Sequence, residues 1–242
     1  VKAIIIKILA KLNHEKIVKF ILNLLKSEDI QIKANCIGAC THFDDINLIH
    51  YLYPYLNSEN PDIKGNTIIA LWKYSKYKIK LYQELKKMLL STDKETKLKA
   101  IYVIGEVGAV QEKKRLRQYL YSDDKDQRLI SAIALSKLSA KEGIPVICES
   151  LLYSSGKTRE RIEYEIDILP ENIKKKIAFY IRQNVCSYIN QLFANSHVIN
   201  LDELDKDTLL KLRNAYELVN DHEEVQNIDD RLQLQFNPTY NG

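Results

Sequence analysis

Apolar residues along this chain recur in a frame that repeats every thirty-odd positions. Counting from Lys33, offsets +3, +4, +7 and +10 hold Cys36, Ile37, Cys40 and Phe43, with Ala39 at +6. The same frame from Lys64 gives Thr67, Ile68, Ala70, Leu71 and Tyr74, and from Lys97 it gives Ala100, Ile101, Val103, Ile104 and Val107. From Arg128 come Ser131, Ala132, Ala134, Leu135 and Leu138, and from Lys2 come Ile5, Ile6, Ile8, Leu9 and Leu12. The basic origins at 2, 33, 64, 97 and 128 are spaced 31, 31, 33 and 31 residues apart. A weaker copy starts at Arg159, with Ile162, Ile166 and Leu169 in frame but Glu163 and Glu165 on the small or apolar positions. A fixed period of this length is the mark of a repeat architecture.

Offsets of three and four residues form the buried stripe of an amphipathic helix, so each frame predicts one helix. Four residues before four of the origins stand Asp29, Asn60, Asp93 and Asp124, residue types whose side chains cap helix N-termini. Pro61 follows Asn60 at the first helical position, and Ser27, Ser58, Ser91 and Ser122 each precede a cap by two. Between the caps lie shorter apolar helices, expected over 14–26, 46–56, 79–90, 111–121 and 143–152, so each unit reads as a helix hairpin. The period ends near Pro170. Residues 171–194 continue as one long amphipathic helix through Ile173, Ile177, Ile181, Val185, Tyr188 and Leu192. Asn200 and Glu203 have capping-box spacing ahead of Leu204, Leu209, Leu212, Tyr216 and Val219. The expected organisation is a repeat region over 1–170, a helical cap over 171–220 and a loose polar tail over 221–242.

A hairpin of 31 to 33 residues with a turn Asp and a basic origin followed by small residues resembles the HEAT family. It is similar in particular to the short HEAT-like repeats of the phycobilisome-lyase type. Lys97-Leu-Lys-Ala-Ile-Tyr-Val-Ile-Gly-Glu-Val-Gly108 carries the resemblance best, and the similarity covers about residues 1–170. It implies an all-α, right-handed solenoid of five to six hairpins with a helical C-terminal cap. It implies also a ladder between neighbouring units built from Asp29, Lys33, Lys64, Asp93, Lys97, Asp124 and Arg128. Second helices would line a concave side. Such repeats serve many scaffolds, so the resemblance is specific for fold and not for function.

Composition agrees with a helical chain: 242 residues, 45% hydrophobic and 28% charged, with seven glycines and five prolines. Apolar runs are broken by Lys2, Lys7 and Lys11 and none approaches the roughly 20 residues that span a bilayer, so a cytoplasmic location is expected. Cys36, Cys40 and His42 fall together, but C-x3-C-x-H does not supply the four ligands of a closed zinc site; no metal and no cofactor is expected. The +4 total conceals an asymmetry. Residues 1–198 carry 32 basic and 22 acidic side chains, +10, and residues 199–242 carry 4 and 10, −6. An acidic partner, or an acidic C-terminal segment covering a basic groove, follows from that split.

On the second helices the +5 row, away from the core stripe, reads Lys7, Gly38, Ile69, Tyr102, Ile133, Tyr164, and the +9 row reads Lys11, His42, Lys73, Glu106, Lys137, Ile168. Ile69, Lys73, Tyr102, Ile133, Lys137 and Tyr164 are therefore the candidate binding residues, an apolar and aromatic strip beside a mainly basic row. Such a strip fits an acidic, amphipathic peptide or helix. Walker A, G-x-S-x-G, H-E-x-x-H and paired C-x-x-C motifs are absent. Diiron hydroxylases with HEAT-like repeats use repeated His-Glu pairs, but here His14-Glu15 and His222-Glu223 lie at opposite ends. DNA glycosylases of this type need several tryptophans, and the chain has one, Trp72. Nothing marks a bilin pocket. The expectation is a non-enzymatic scaffold that binds another protein or peptide through its concave face. The alternatives are a cytoplasmic regulatory part of a larger protein, a membrane transporter among them, or nucleic-acid binding through the clusters Lys73, Lys76, Lys78, Lys80 and Lys113, Lys114, Arg115, Arg117. The transporter reading rests on Asn66-Thr-Ile-Ile-Ala-Leu-Trp72 and on a start at Val1 inside a repeat, which suggests a piece of a longer polypeptide.

Overall fold

The computed structural model describes residues 6, 15–43, 45–154, 156–193, 201, 204–218 and 222–236. Among these every regular element is a helix. The chain forms two compact units, residues 1–116 and 117–242.

In the first unit α1 (Glu15–Leu24) and α2 (Ile30–Ala39) make one hairpin, and α3 (Leu48–Leu52), its 3-10 continuation Tyr53–Asn57 and α4 (Pro61–Leu71) make the next. The 3-10 turn Ser75–Tyr77, α5 (Lys78–Leu89) and α6 (Lys94–Val107) make the third. Second helices lie side by side, α2 on α4 and α4 on α6, while α5 packs on α6 within its hairpin. Ile37, Ile68, Leu71, Ile101 and Ile104, all from the predicted stripe, are fully buried between them. Of the first frame, the described residue Ile6 is buried and the remainder lies outside the described residues.

In the second unit α8 (Lys125–Lys137) packs on α9 (Ile144–Tyr153), which also meets α10 (Gly156–Asp167) and α11 (Glu171–Phe193); a short helix, α7 (Lys113–Tyr119), spans the junction of the two units. Then α12 (Lys206–Leu218) packs on α9 and α11, and α13 (His222–Phe236) packs on α12. The stretch expected as a loose polar tail therefore contains a helix. Ile228 from α13 closes a small core with Leu209 and Leu212, which the polar composition of that stretch concealed. The pair Asn200 and Glu203 lies outside the described residues; the observed cap of α12 is Asp205, whose Oδ1 accepts from Thr208 N at 2.7 Å. Asn214 ties α12 to the end of α9 by donating Nδ2–H to the carbonyls of Leu152 and Ser154 at 3.1 and 3.3 Å.

The helix starts are built by one recurring cassette. Asp29 accepts from Gln31 N and Ile32 N at 2.8 and 3.0 Å, and Asn60 from Asp62 N and Ile63 N at 3.1 Å each. Asp93 accepts from Thr96 N at 2.8 Å, and Asp124 from Asp126 N and Gln127 N at 2.9 and 3.2 Å. In every copy the serine two residues earlier accepts the cap's own N–H, at 3.1–3.2 Å. Each cassette satisfies helix-terminal donors that would otherwise be orphaned, an effect of about 1 kcal/mol per cap. The fold class read from the sequence, all-α with successive helix hairpins, thus holds within each unit.

Two glycines are fixed by geometry. Gly108 ends α6 at φ +71° in the left-handed region. A Cβ on Gly143 would sit 2.4 Å from the carbonyl oxygen of Ala132, so only glycine lets α9 approach α8 so closely. No described helix is long and apolar enough to cross a membrane.

Candidate protein-binding face

The repeat period sets which side chains meet. In the first unit Asn66 of α4 donates Nδ2–H to the carbonyl of Ala34 in α2 at 2.8 Å, and its Oδ1 accepts from Lys99 Nζ of α6 at 2.9 Å. Lys99 also reaches Asp62 Oδ1 at 2.8 Å and lies over the Tyr102 ring, 5.2 Å from its centroid. A polar relay therefore runs across three successive second helices, each link joining residues 32 or 33 apart. Gly65 makes room for it, because a Cβ there would fall 2.6 Å from Lys99 Cε.

One helical turn beyond the Asn66–Lys99 bond, Ile69 and Tyr102 occupy the corresponding positions of the same two helices. Both are half-buried, so each keeps apolar surface for a partner. Lys73, two residues beyond the end of α4, is exposed and donates to the carbonyl of Phe43. Of the six residues expected to bind, Ile69 and Tyr102 thus lie on neighbouring second helices of the first unit, and Lys73 lies just past the end of one of them.

The other three belong to the second unit, and one of them is corrected. Ile133 is only 8% exposed and forms part of the core. It follows Ala132, where the close approach permitted by Gly143 brings α9 over α8 and closes that side of the helix. Lys137 is committed to Glu165, with Nζ to Oε2 at 2.7 Å and both side chains nearly buried. Tyr164 is 60% exposed on α10.

The residues expected to form a ladder between neighbouring hairpins sit at the starts of the second helices. The four acidic or amide residues cap their own helices, and the basic origins Lys33, Lys64, Lys97 and Arg128 donate their backbone N–H to the cap carbonyl four residues back, at 3.0–3.1 Å. The Lys64 ammonium pairs with Glu84 at 3.1 Å, and Arg128 Nη1 donates to the Ser122 carbonyl at 2.5 Å. Glu84 was missed by sequence reasoning. Its nearly buried carboxylate gathers Lys87, Lys64 and Lys80 at 2.9, 3.1 and 3.3 Å. Burial pushes its pKa up, but hydrogen bonds from those three lysines outweigh that and hold it down at about 2. The i,i+3 and i,i+4 lysines around it were the available signal.

Tyr82 and Glu112, 30 residues apart, are joined hydroxyl to carboxylate, with Arg115 Nη1 at 3.7 Å from Glu112 Oε2. Cys36, Cys40 and Cys148 are buried thiols whose pKa values desolvation raises to about 11, 12 and 12, while His42 is exposed. Among the described residues no group of three or more His, Cys, Asp or Glu side chains is placed to hold a metal ion. In the acidic C-terminal segment, Glu217 forms an ion pair with Arg159 at 3.1 Å and accepts from Arg213 at 3.0 Å, and Asp229 accepts from Arg213 at 2.6 Å. Those carboxylates are spent inside the second unit.

No family model matches the chain, and no curated protein sequence matches it. Similar solved structures include the complex of CpcE and CpcF of phycocyanin lyase from Nostoc, at 12% identity and TM-score 0.47 over 91% of this chain and 82% of that one. Human deoxyhypusine hydroxylase in complex with glycerol matches at 12% identity and TM-score 0.40 over 96% and 83%. An engineered protein matches at 16% identity and TM-score 0.37 over 72% and 88%. At these scores none of them assigns an activity to the chain. They do correct one expectation. Two of the three are enzymes by name, a lyase and a hydroxylase, so the reading of this chain as non-enzymatic is withdrawn.

Proposed function

We propose that the chain binds another protein through the second-helix face of its first unit, with Ile69 and Tyr102 as anchors. The observation that carries this reading is their placement. The Lys99–Asn66 bond ties α4 to α6, and one turn further along each helix stand an isoleucine and a tyrosine, each half-exposed. Rigid aromatic and branched side chains lose little freedom on binding and supply most interface energy. Lys73, exposed just past the end of α4, adds positive charge that favours an acidic, amphipathic segment. In the second unit Tyr164 offers a further exposed aromatic residue on α10.

The test is isothermal titration of the full chain with a helical peptide carrying leucines at i,i+4 spacing on one face and glutamates on the other. Tyr102→Ala should weaken binding by about 30-fold, a hot-spot loss of about 2 kcal/mol, and Ile69→Ala by about 5- to 10-fold, both with unchanged helical circular dichroism. Equal affinity for wild type and both variants would remove this face as the binding surface.

A further inference from the structure

A second apolar site lies on the same unit among its first helices and turns. Ile49 and His50 from α3, Tyr53 and Pro54 from the 3-10 turn that follows, and Tyr77 from the turn before α5 line a cavity of about 240 Å³. The Tyr53 and Tyr77 rings meet at 5.5 Å between centroids and 56° between planes, and together with Pro54 and Ile49 they form an apolar wall. These residues come from two successive hairpins, so the cavity exists only because the repeats stack in register.

Its size and lining define the occupant. Cavities that hold free small molecules run to about 300–1,000 Å³, whereas this one has room for a single large side chain. The Tyr77 ring is already met by Tyr53 and by the Lys76 ammonium, 5.9 Å from its centroid, which leaves it poorly placed to stack a nucleobase. An apolar side chain inserted against tyrosine, proline and isoleucine suits the lining better.

The charge around the cavity gives the rest of the partner. Lys76 and Lys78 flank Tyr77, both are exposed, and neither pairs with a carboxylate among the described residues. The nearest carboxylate in sequence on the α3 side, Asp45, is occupied by the N–H and Nδ2–H of Asn47, both at 2.9 Å. Residues 1–116 carry 20 basic and 12 acidic side chains, a net +8, against 16 and 20, −4, for residues 117–242. The long-range field of the first unit therefore attracts anions, and the two lysines beside the cavity focus it there.

We propose that this cavity is a second docking site, distinct from the Ile69–Tyr102 face, for an acidic segment of a partner protein that inserts one apolar side chain between Tyr53, Pro54 and Tyr77. The insertion anchors the segment, and Lys76 and Lys78 orient the carboxylates on either side of it.

The probe is a fluorescein-labelled peptide with one phenylalanine flanked on both sides by glutamates and aspartates, titrated into the full-length chain by fluorescence anisotropy at low and moderate salt. Three comparisons accompany it: the same peptide with alanine in place of phenylalanine, an oligothymidylate of equal charge, and the Tyr102→Ala protein. Expected results are a loss of at least tenfold in affinity on Tyr77→Ala and on the alanine peptide, and a loss of similar size with a flattened salt dependence on the double charge reversal Lys76→Glu, Lys78→Glu. Tyr102→Ala should leave this affinity unchanged. The lysine variants change only exposed positions, so they report even if Tyr77→Ala unfolds. Equal binding of the phenylalanine and alanine peptides, or indifference to the lysine reversal, would overturn the proposal. Tighter binding of the oligothymidylate that is lost on Tyr77→Ala would assign the cavity to single-stranded nucleic acid instead. Weakening by Tyr102→Ala in both titrations would merge the two sites into one.

Discussion

Replacing Glu84 by glutamine tests the electrostatic core of the first unit. The carboxylate is 8% exposed and receives Lys87, Lys64 and Lys80 at 2.9–3.3 Å, and its folded-state pKa lies at about 2 against an ordinary 4.5. Because the folded value is the lower one, the stabilisation is fully present above about pH 4.5. It is lost as the pH falls from there towards 2. The gap between the two values corresponds to about 3 kcal/mol at 1.36 kcal/mol per pH unit. Lys80 and Lys87 are 50% and 68% exposed, and solvent screening at those two partners reduces the expected effect to about 1–2 kcal/mol. Trp72, the only tryptophan in the chain, sits in α4's C-terminal cap, so its fluorescence follows unfolding of this unit in urea. Glu84→Gln should lower the urea midpoint at pH 7 by about 0.5–1 M for a typical slope of about 1–3 kcal/mol/M, and the difference from wild type should shrink towards zero near pH 2. A variant with the wild-type midpoint at pH 7, or with a deficit that is the same at pH 7 and pH 2.5, would refute the lysine cage around Glu84.

Other expectations follow from single contacts. Gly143→Ala should destabilise the second unit by about 2–4 kcal/mol in denaturant melts, because its Cβ would meet the Ala132 backbone at 2.4 Å, whereas Gly108→Ala, with open space but φ +71°, should cost about 1 kcal/mol. Ser131→Ala should raise stability by about 1 kcal/mol, since its buried Oγ has no hydrogen-bond partner among the described residues. Asp93→Ala should lower it by about 1 kcal/mol through loss of the bond to Thr96 N. In a Cys186→Ser background, iodoacetamide at pH 8 should leave Cys36, Cys40 and Cys148 unmodified until the protein is unfolded, because burial raises their thiol pKa values to about 11–12.

Helix starts were legible residue by residue because a cap is a local device. Asp29, Asn60, Asp93 and Asp124 bond to N–H groups two and three residues ahead, and nothing distant decides that. The buried stripe was legible for the same reason. Ile133 was misassigned because periodicity says which side of a helix is apolar and not which neighbour arrives to cover it. That outcome depends on Gly143, five residues beyond the frame's last offset at Leu138, letting α9 close on Ala132. The partner of Lys64, Glu84, was not legible because it comes from a first helix, where the frame set no expectation. The helix α13 escaped notice because Ile228 is buried against Leu209 and Leu212, a core too small to stand out in a polar stretch. Tyr53, Pro54 and Tyr77 come from turns of two different hairpins, so only stacking brings them together.

Ile69 and Tyr102 are proposed as the binding face of the first unit. A displayed library of acidic amphipathic peptides, selected on the full-length chain and then measured against Tyr102→Ala and Tyr77→Ala, tests it most directly. A class of selected peptides should lose at least tenfold affinity on Tyr102→Ala and none on Tyr77→Ala. Selected peptides that all bind Tyr102→Ala and Ile69→Ala as tightly as wild type would contradict it.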